Sequence, residues 1–259
     1  MLTLSIFYLF SPDAAKRARG TPLHIRMSLE EFCQGARENT RIQCVLDMPT
    51  LDGERPMFIK FLDDGHTAYN RVHNRFTDRK HMQTDTQKSA SWTLLHHGQF
   101  FTYAHHDADG FMTWVQPLSG YKFWTLLVPN GYATDHTRED VNTSASQFFH
   151  KNFSAKTGNY GSNFERIIIY AGPGDIVIMP PGMFHEVYTP VPSVAIGGHM
   201  YSYNAMHLTE LCRSIQKESD GQFTNQDHSS ASITMALMLA ALPLIPEQRR
   251  SHILWSFFP

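Results

Sequence analysis

The strongest constraint on this chain is a succession of short strand-like runs between Ser91 and Tyr201. Trp92 to Leu95, Gln99 to His106, Met112 to Gln116 and Tyr121 to Val128 are rich in aromatic and aliphatic residues. Gly98, Asp109-Gly110 and Ser119-Gly120 punctuate them as turns. A polar stretch, 130–161, reads as an excursion over the barrel with some helix near 144–149. Strands then resume at Phe164 to Ala171, Ile176 to Met179, His185 to Thr189 and Val194 to Tyr201. Turns at Gly172 to Asp175 and Pro180 to Gly182 separate the first three. Many short strands with regular turns predict a mainly β protein, a barrel or jelly roll.

Helices are predicted at both ends. Ser28-Leu29-Glu30-Glu31 has the form of a capping box, opening a helix from about Leu29 to Arg37. Met206, Leu208, Leu211 and Ile215 form an apolar stripe at helical spacing. Ser232 to Leu242 is apolar nearly all round, so it reads as a buried helix. Arg41 to Met48 and Pro56 to Leu62 read as further strands, and His66 to Ala90 as loop or irregular helix. Met1 to Phe10 lacks the charged start and cleavage site of a signal peptide and reads as a strand or short helix. Ile233 to Ile245 is too short to span a bilayer and is broken by Pro243, so a core or dimer-contact helix is expected.

Composition excludes several classes. Hydrophobic residues are 42% of the 259 and charged residues 18%, which rules out wholesale disorder. A net charge of −2 gives no basic footprint for nucleic acid. Cys33, Cys44 and Cys212 are widely spaced with no CxxC pair. That suggests neither a disulfide framework nor a zinc knuckle, and fits a reducing compartment, nucleus or cytoplasm.

The chemistry concentrates at the end of one strand. His105 and Asp107 are two apart, so in extended chain they share a face. His185 ends another strand-turn segment, held by Pro180-Pro181-Gly182. Two histidines and a carboxylate are the donor set of the facial triad that holds non-haem Fe(II). The bland alternatives are a surface His-His-Asp turn and a hydrogen-bonded core histidine. His106 points the other way from His105, and Asp109 reads as a turn residue. Lys122 lies in an apolar strand on the face of Trp124 and Leu126. Facing inward it needs an anionic partner; facing outward its stem packs along the sheet. Parity leaves both open. Trp114, Trp124 and Tyr121 are either pocket walls or core.

Taken in order, these motifs resemble those of JmjC-domain proteins, and look most like the compact JmjC-like proteins of fungi. The resemblance rests on His105-His106-Asp107, on Gly120-Tyr121-Lys122-Phe123-Trp124, on Gly174-Asp175 through Pro180-Pro181 to His185, and on Gly197-Gly198-His199. It covers about 91–212. It implies a double-stranded β-helix (cupin-like jelly roll) with flanking N- and C-terminal helices, the whole chain, 1–259, forming one domain. Within it, 91–212 is the barrel and 213–259 a C-terminal helical extension.

It further implies Fe(II), 2-oxoglutarate and O2, with iron held by His105, Asp107 and His185 and the distal carboxylate of 2-oxoglutarate held by Lys122. Thr102 falls where some members place a second hydroxyl for that carboxylate. Strand parity sets it opposite His105 unless a bulge intervenes, and Tyr103 is its rival. His199 stands where other members often carry a cosubstrate-pocket Asn.

The implied reaction is hydroxylation or N-demethylation of a protein or peptide substrate, a histone lysine being one case. Charge and hydropathy add no nucleic-acid or membrane partner, and the apolar C-terminal helix is a candidate homodimer contact, the oligomeric state staying open. The rival readings are a cupin metal dioxygenase that does not use 2-oxoglutarate and a non-catalytic partner-binding module.

Overall fold

The computed structural model describes residues 3–7, 24–38, 42–50, 55–72, 90–129, 164–218 and 231–245. The expected excursion at 130–161, the loop at 222–230 and the stretch 73–89 lie outside them.

The chain forms two antiparallel sheets. Strands β1 (Thr3–Phe7), β2 (His24–Ser28), β3 (Cys44–Pro49), β4 (Trp92–His96), β6 (Met112–Ser119), β9 (Val177–Met179) and β11 (Ser193–Met200) make one, in the order β2-β1-β3-β4-β11-β6-β9. Strands β5 (Phe100–His105), β7 (Lys122–Pro129), β8 (Phe164–Ala171) and β10 (His185–Thr189) make the other, in the order β5-β10-β7-β8. Apart from β7 and β8, which pair with each other in the smaller sheet, the strands from β4 onward alternate between two facing sheets, which is the jelly-roll, double-stranded β-helix arrangement. β1 to β3 widen the larger sheet beyond β4.

The space between the sheets is filled from both sides. Trp92, Val115, Met179 and Ala195 of the larger sheet meet Trp124, Ala171 and Val187 of the smaller one in a single buried cluster. Alternation decides the neighbours of these residues. Val115 faces inward, so Trp114 faces outward. There it is sealed under Ile59, with Ile196 and Met200. Trp124 is therefore core, and Trp114 is covered on the outer face rather than forming a pocket wall. Tyr121 also lies away from the interior, stacked with Phe123 and Tyr170.

Among the described residues five helices flank the sheets. α1 (Leu29–Glu38) begins as expected: Glu31 N–H donates to Ser28 Oγ at 3.2 Å, and Ser28 N–H donates to Glu31 Oε2 at 2.7 Å. α4 (Met206–Glu218) and α5 (Ala231–Ala241) match the C-terminal expectation. α5 buries Ala231, Thr234, Leu237, Met238 and Ala241 but leaves Leu239 exposed, so it is buried on one face rather than all round.

One segment differs from the reading of the sequence. Pro56 to Leu62 is not a strand: Met57–Leu62 is helix α2, started by Pro56, whose carbonyl accepts from Ile59 N–H at 3.0 Å. Its apolar run has no strand alternation, since only Ile59 is buried while Met57, Phe58, Phe61 and Leu62 are exposed. The stretch after His66, read as loop or irregular helix, is helical as far as Val72. α3 (Asp64–Val72) buries Ala68 and Val72, one turn apart, against α5. Among the described residues no helix is long and apolar enough to cross a membrane.

Candidate metal centre

Adjacent strands β5 and β10 of the smaller sheet bring His105, Asp107 and His185 together. One ligand atom from each lies within 4.8 Å of the others. His105 Nε2 is 3.4 Å from Asp107 Oδ1, and His185 Nε2 is 3.9 Å from Asp107 Oδ2. The two imidazoles sit with ring centroids 4.5 Å apart. His105 and His185 are directly paired across β5 and β10, which makes this approach a matter of register.

Each histidine is held by its own strand. His105 Nδ1 donates to the Tyr103 carbonyl at 2.7 Å, and His185 Nδ1 donates to the Met183 carbonyl at 2.9 Å. A carbonyl only accepts, so each Nδ1 carries a proton, and each Nε2 faces Asp107. This is the outer-shell support that metal-binding histidines characteristically have.

Electrostatics sets the same state. Burial pushes the His185 imidazole down to about 4, against the opposing pull of Asp107. Burial works the other way on Asp107, but His185 and the His105 hydrogen bond outweigh it and hold the carboxyl well below its usual range. At neutral pH His185 is neutral and Asp107 ionised, the protonation state a divalent cation requires of these two groups. The donor set therefore fits iron(II).

His106 takes no part in the group. His106 is buried with its ring against Phe184, and Asp109 lies in the 3-10 turn Ala108–Gly110 that closes the strand end.

A second buried polar group lies along the same strands. Lys122 is 1% exposed, so it faces inward. Its Nζ donates to Thr189 Oγ1 at 2.8 Å and lies 3.2 Å from His96 Nδ1. Among the described residues no carboxylate pairs with it. Burial pushes the ammonium down to about 7, with Cys44 opposing weakly, and burial together with Lys122 keeps His96 well below its normal value. A buried cation held only by neutral groups is a strong binding point for an anion.

Thr189 and His96 were not singled out in the sequence. Thr189 was findable, four residues after His185 in one strand and so on the same face. His96 had no signal, because its approach to Lys122 spans the two sheets.

Thr102 resolves through a bulge. His185 pairs with His105 but Val187 pairs with Thr102, so β5 spends one extra residue where β10 does not. Thr102 thereby joins the face of His105, opposite the inward-facing Val187. Plain alternation had placed it on the other side. Its rival Tyr103 stacks on Phe101, whose partner Tyr188 is also exposed, so Tyr103 belongs to the outer face. His199 is buried, shares a 3.0 Å hydrogen bond between its Nδ1 and Thr113 Oγ1, and lies close enough to act on the Asp107 charge.

No protein-family model matches the chain. The similarity is to JmjC-domain proteins. A Caenorhabditis elegans protein named JmjC domain-containing histone demethylation protein 1 is 28% identical over 117 residues, which is 43% of this chain and 10% of that protein. Its Caenorhabditis briggsae namesake is 26% identical over 113 residues, again 43% and 10%. The chain thus spans about a tenth of the length of these relatives.

Proposed function

We propose that this chain is an Fe(II)- and 2-oxoglutarate-dependent oxygenase of the JmjC type, acting on a protein or peptide. The observation that carries the reading is the convergence of His105 Nε2, Asp107 and His185 Nε2 with both Nδ1 atoms tied to backbone carbonyls. Lys122 supports the cosubstrate, and the similarity to two proteins named for histone demethylation supports the class of reaction. The reading takes 1–259 as one domain, 91–212 as the site-bearing barrel and 213–259 as a helical extension.

In this reading His105, Asp107 and His185 hold the iron. When bound, iron with 2-oxoglutarate and O2 supplies an oxidant for a substrate C–H bond, leaving succinate and CO2. The remaining work belongs to the chain. Lys122 binds the distal carboxylate of the cosubstrate, with Thr189 fixing its Nζ and Thr102 and His199 lining the same inward space. The Tyr103 and Met183 carbonyls orient the two imidazoles. The interior between the sheets, built from Trp92, Trp124 and Val187, excludes water from the reaction. Oxidation of an N-methyl carbon gives demethylation, and of another carbon a stable alcohol. Histone lysine is the first substrate to try, the nucleus the first compartment, and the C-terminal helices the first place to look for a dimer contact.

The test is a succinate-release screen against methylated and unmethylated peptides, with mass spectrometry of the products. The wild type should release succinate only with iron and 2-oxoglutarate, and His185→Ala should release none. Turnover that survives Lys122→Ala and omission of 2-oxoglutarate would point to a metal dioxygenase of another kind. Absence of any Fe(II) or 2-oxoglutarate binding would leave a partner-binding module.

A further inference from the structure

Two glycines flank the metal group symmetrically. Gly110 follows Asp107 by three residues, and Gly182 precedes His185 by three. Both adopt the left-handed conformation, at φ +77° and +74°, which a side chain disfavours. Both turns are closed by backbone hydrogen bonds, Gly110 N–H to the Asp107 carbonyl and Met183 N–H to the Pro180 carbonyl, each 3.3 Å. The ligands are therefore coupled to the positions of these turns.

One side chain touches both. A methyl group on Gly110 would fall 2.5 Å from Cys212 Cβ, and one on Gly182 would collide with Cys212 Sγ. Cys212 lies on α4, one turn after Thr209, whose carbonyl also faces Gly110. It is 7% exposed. Burial pushes its thiol up to about 12, so it stays protonated, and it does not belong to the metal-binding group.

We infer that Cys212 is a positioning residue for the metal site: wedged between the Asp107 turn and the His185 turn, it sets the separation of the ligands those turns carry. The inference rests on the metal-centre reading above. A longer side chain forces the turns apart, and a shorter one lets them close. The fit requires glycine at both contacts and a small, unbranched residue between them. The role lies in geometry alone, since a thiol kept neutral is neither a nucleophile nor a ligand.

The experiment is titration of the full-length apoprotein with Co(II), read by its visible absorption, alongside thermal melts. Variants are Cys212→Ser, Cys212→Ala and Cys212→Leu, with Val45→Ala as a control in the distant cluster beneath α1. Cys212→Ala and Cys212→Leu should weaken Co(II) about tenfold or more and alter its spectrum, the scale of other outer-shell changes. Cys212→Ser, nearly the same size, should stay close to wild type. Val45→Ala should lower the melting temperature and leave Co(II) binding unchanged. Equal Co(II) affinity and spectrum in folded Cys212→Ala overturns the inference, and that variant decides if Cys212→Leu fails to fold. An equal loss in Val45→Ala also overturns it, because general destabilisation then accounts for the effect. If the wild type itself binds no Co(II), the metal-centre reading fails and this one with it.

Discussion

The two buried polar groups in the barrel face opposite electrostatic situations. Around Asp107, a carboxylate sits among histidines whose orientation the backbone fixes, and charge and hydrogen bonds are met within the chain. Around Lys122, a cation is buried against a hydroxyl and a neutral imidazole. The first group is assembled before any ligand arrives. The second is left short of one negative charge. A protein that needed only stability would place an apolar residue there. The contrast suits the separate tasks proposed for them: metal-holding for the first group, anion-holding for the second.

The sharpest break in that division is His185→Ala. It should reduce Fe(II) or Co(II) affinity more than about 100-fold, beyond the scale of outer-shell changes, as read by metal titration. Metal binding that persists at wild-type strength removes the first task.

Lys122→Met tests the second. It should weaken 2-oxoglutarate binding by roughly 10- to 100-fold, the loss of a charge-assisted contact worth about 1.5–3 kcal/mol, while metal affinity holds. The same variant should raise the melting temperature of the apoprotein, since it removes an uncompensated buried charge. A lower melting temperature would mean that Lys122 already has its partner.

Proton linkage gives finer readings. Lys122 is near 7 when folded and 10.5 as a free side chain, so between these values the folded apoprotein holds fewer protons than the unfolded chain. Apoprotein stability should rise with pH across this window. An anion that restores the charge should take up close to one proton on binding at about pH 8.5, measured by calorimetry in buffers of different ionisation enthalpy. His185 acts elsewhere on the scale. Its folded value of about 4 lies below 6.5, so the apoprotein should lose stability as pH falls from 6.5 to 4, by at most roughly 3 kcal/mol. His185→Gln should flatten that slope. Thr102→Ala should have the smallest effect, about threefold on 2-oxoglutarate binding, the loss of one neutral hydrogen bond.

How much of this was legible in the sequence depended on how local the cause was. The strands from Trp92 to Met200, the capping box at Ser28 and the shared face of His105 and Asp107 follow from nearest-neighbour geometry, and each could be read directly. Lys122 was ambiguous because parity fixes which residues share a face but not which face is inside. The helix at Met57 was hidden by apolar residues on every side of a single turn. Ala68 and Val72 marked α3, but the polar residues between them masked the stripe. His96 reaches Lys122 only once the two sheets have closed on each other. The same holds for Cys212, whose importance comes from two turns distant in the chain.

The bulge in β5 has a consequence for inheritance as well as geometry. Between Thr102 and His105 the strand is out of phase with its partner by one residue. Removing Tyr103 or Ala104 would restore regular pairing, and a regular strand is ordinarily the lower-energy choice. Phe100, Phe101 and Thr102 would keep their partners Thr189, Tyr188 and Val187, and with them their faces. A lineage can therefore shorten the strand by one residue at this point and keep both the core and the site.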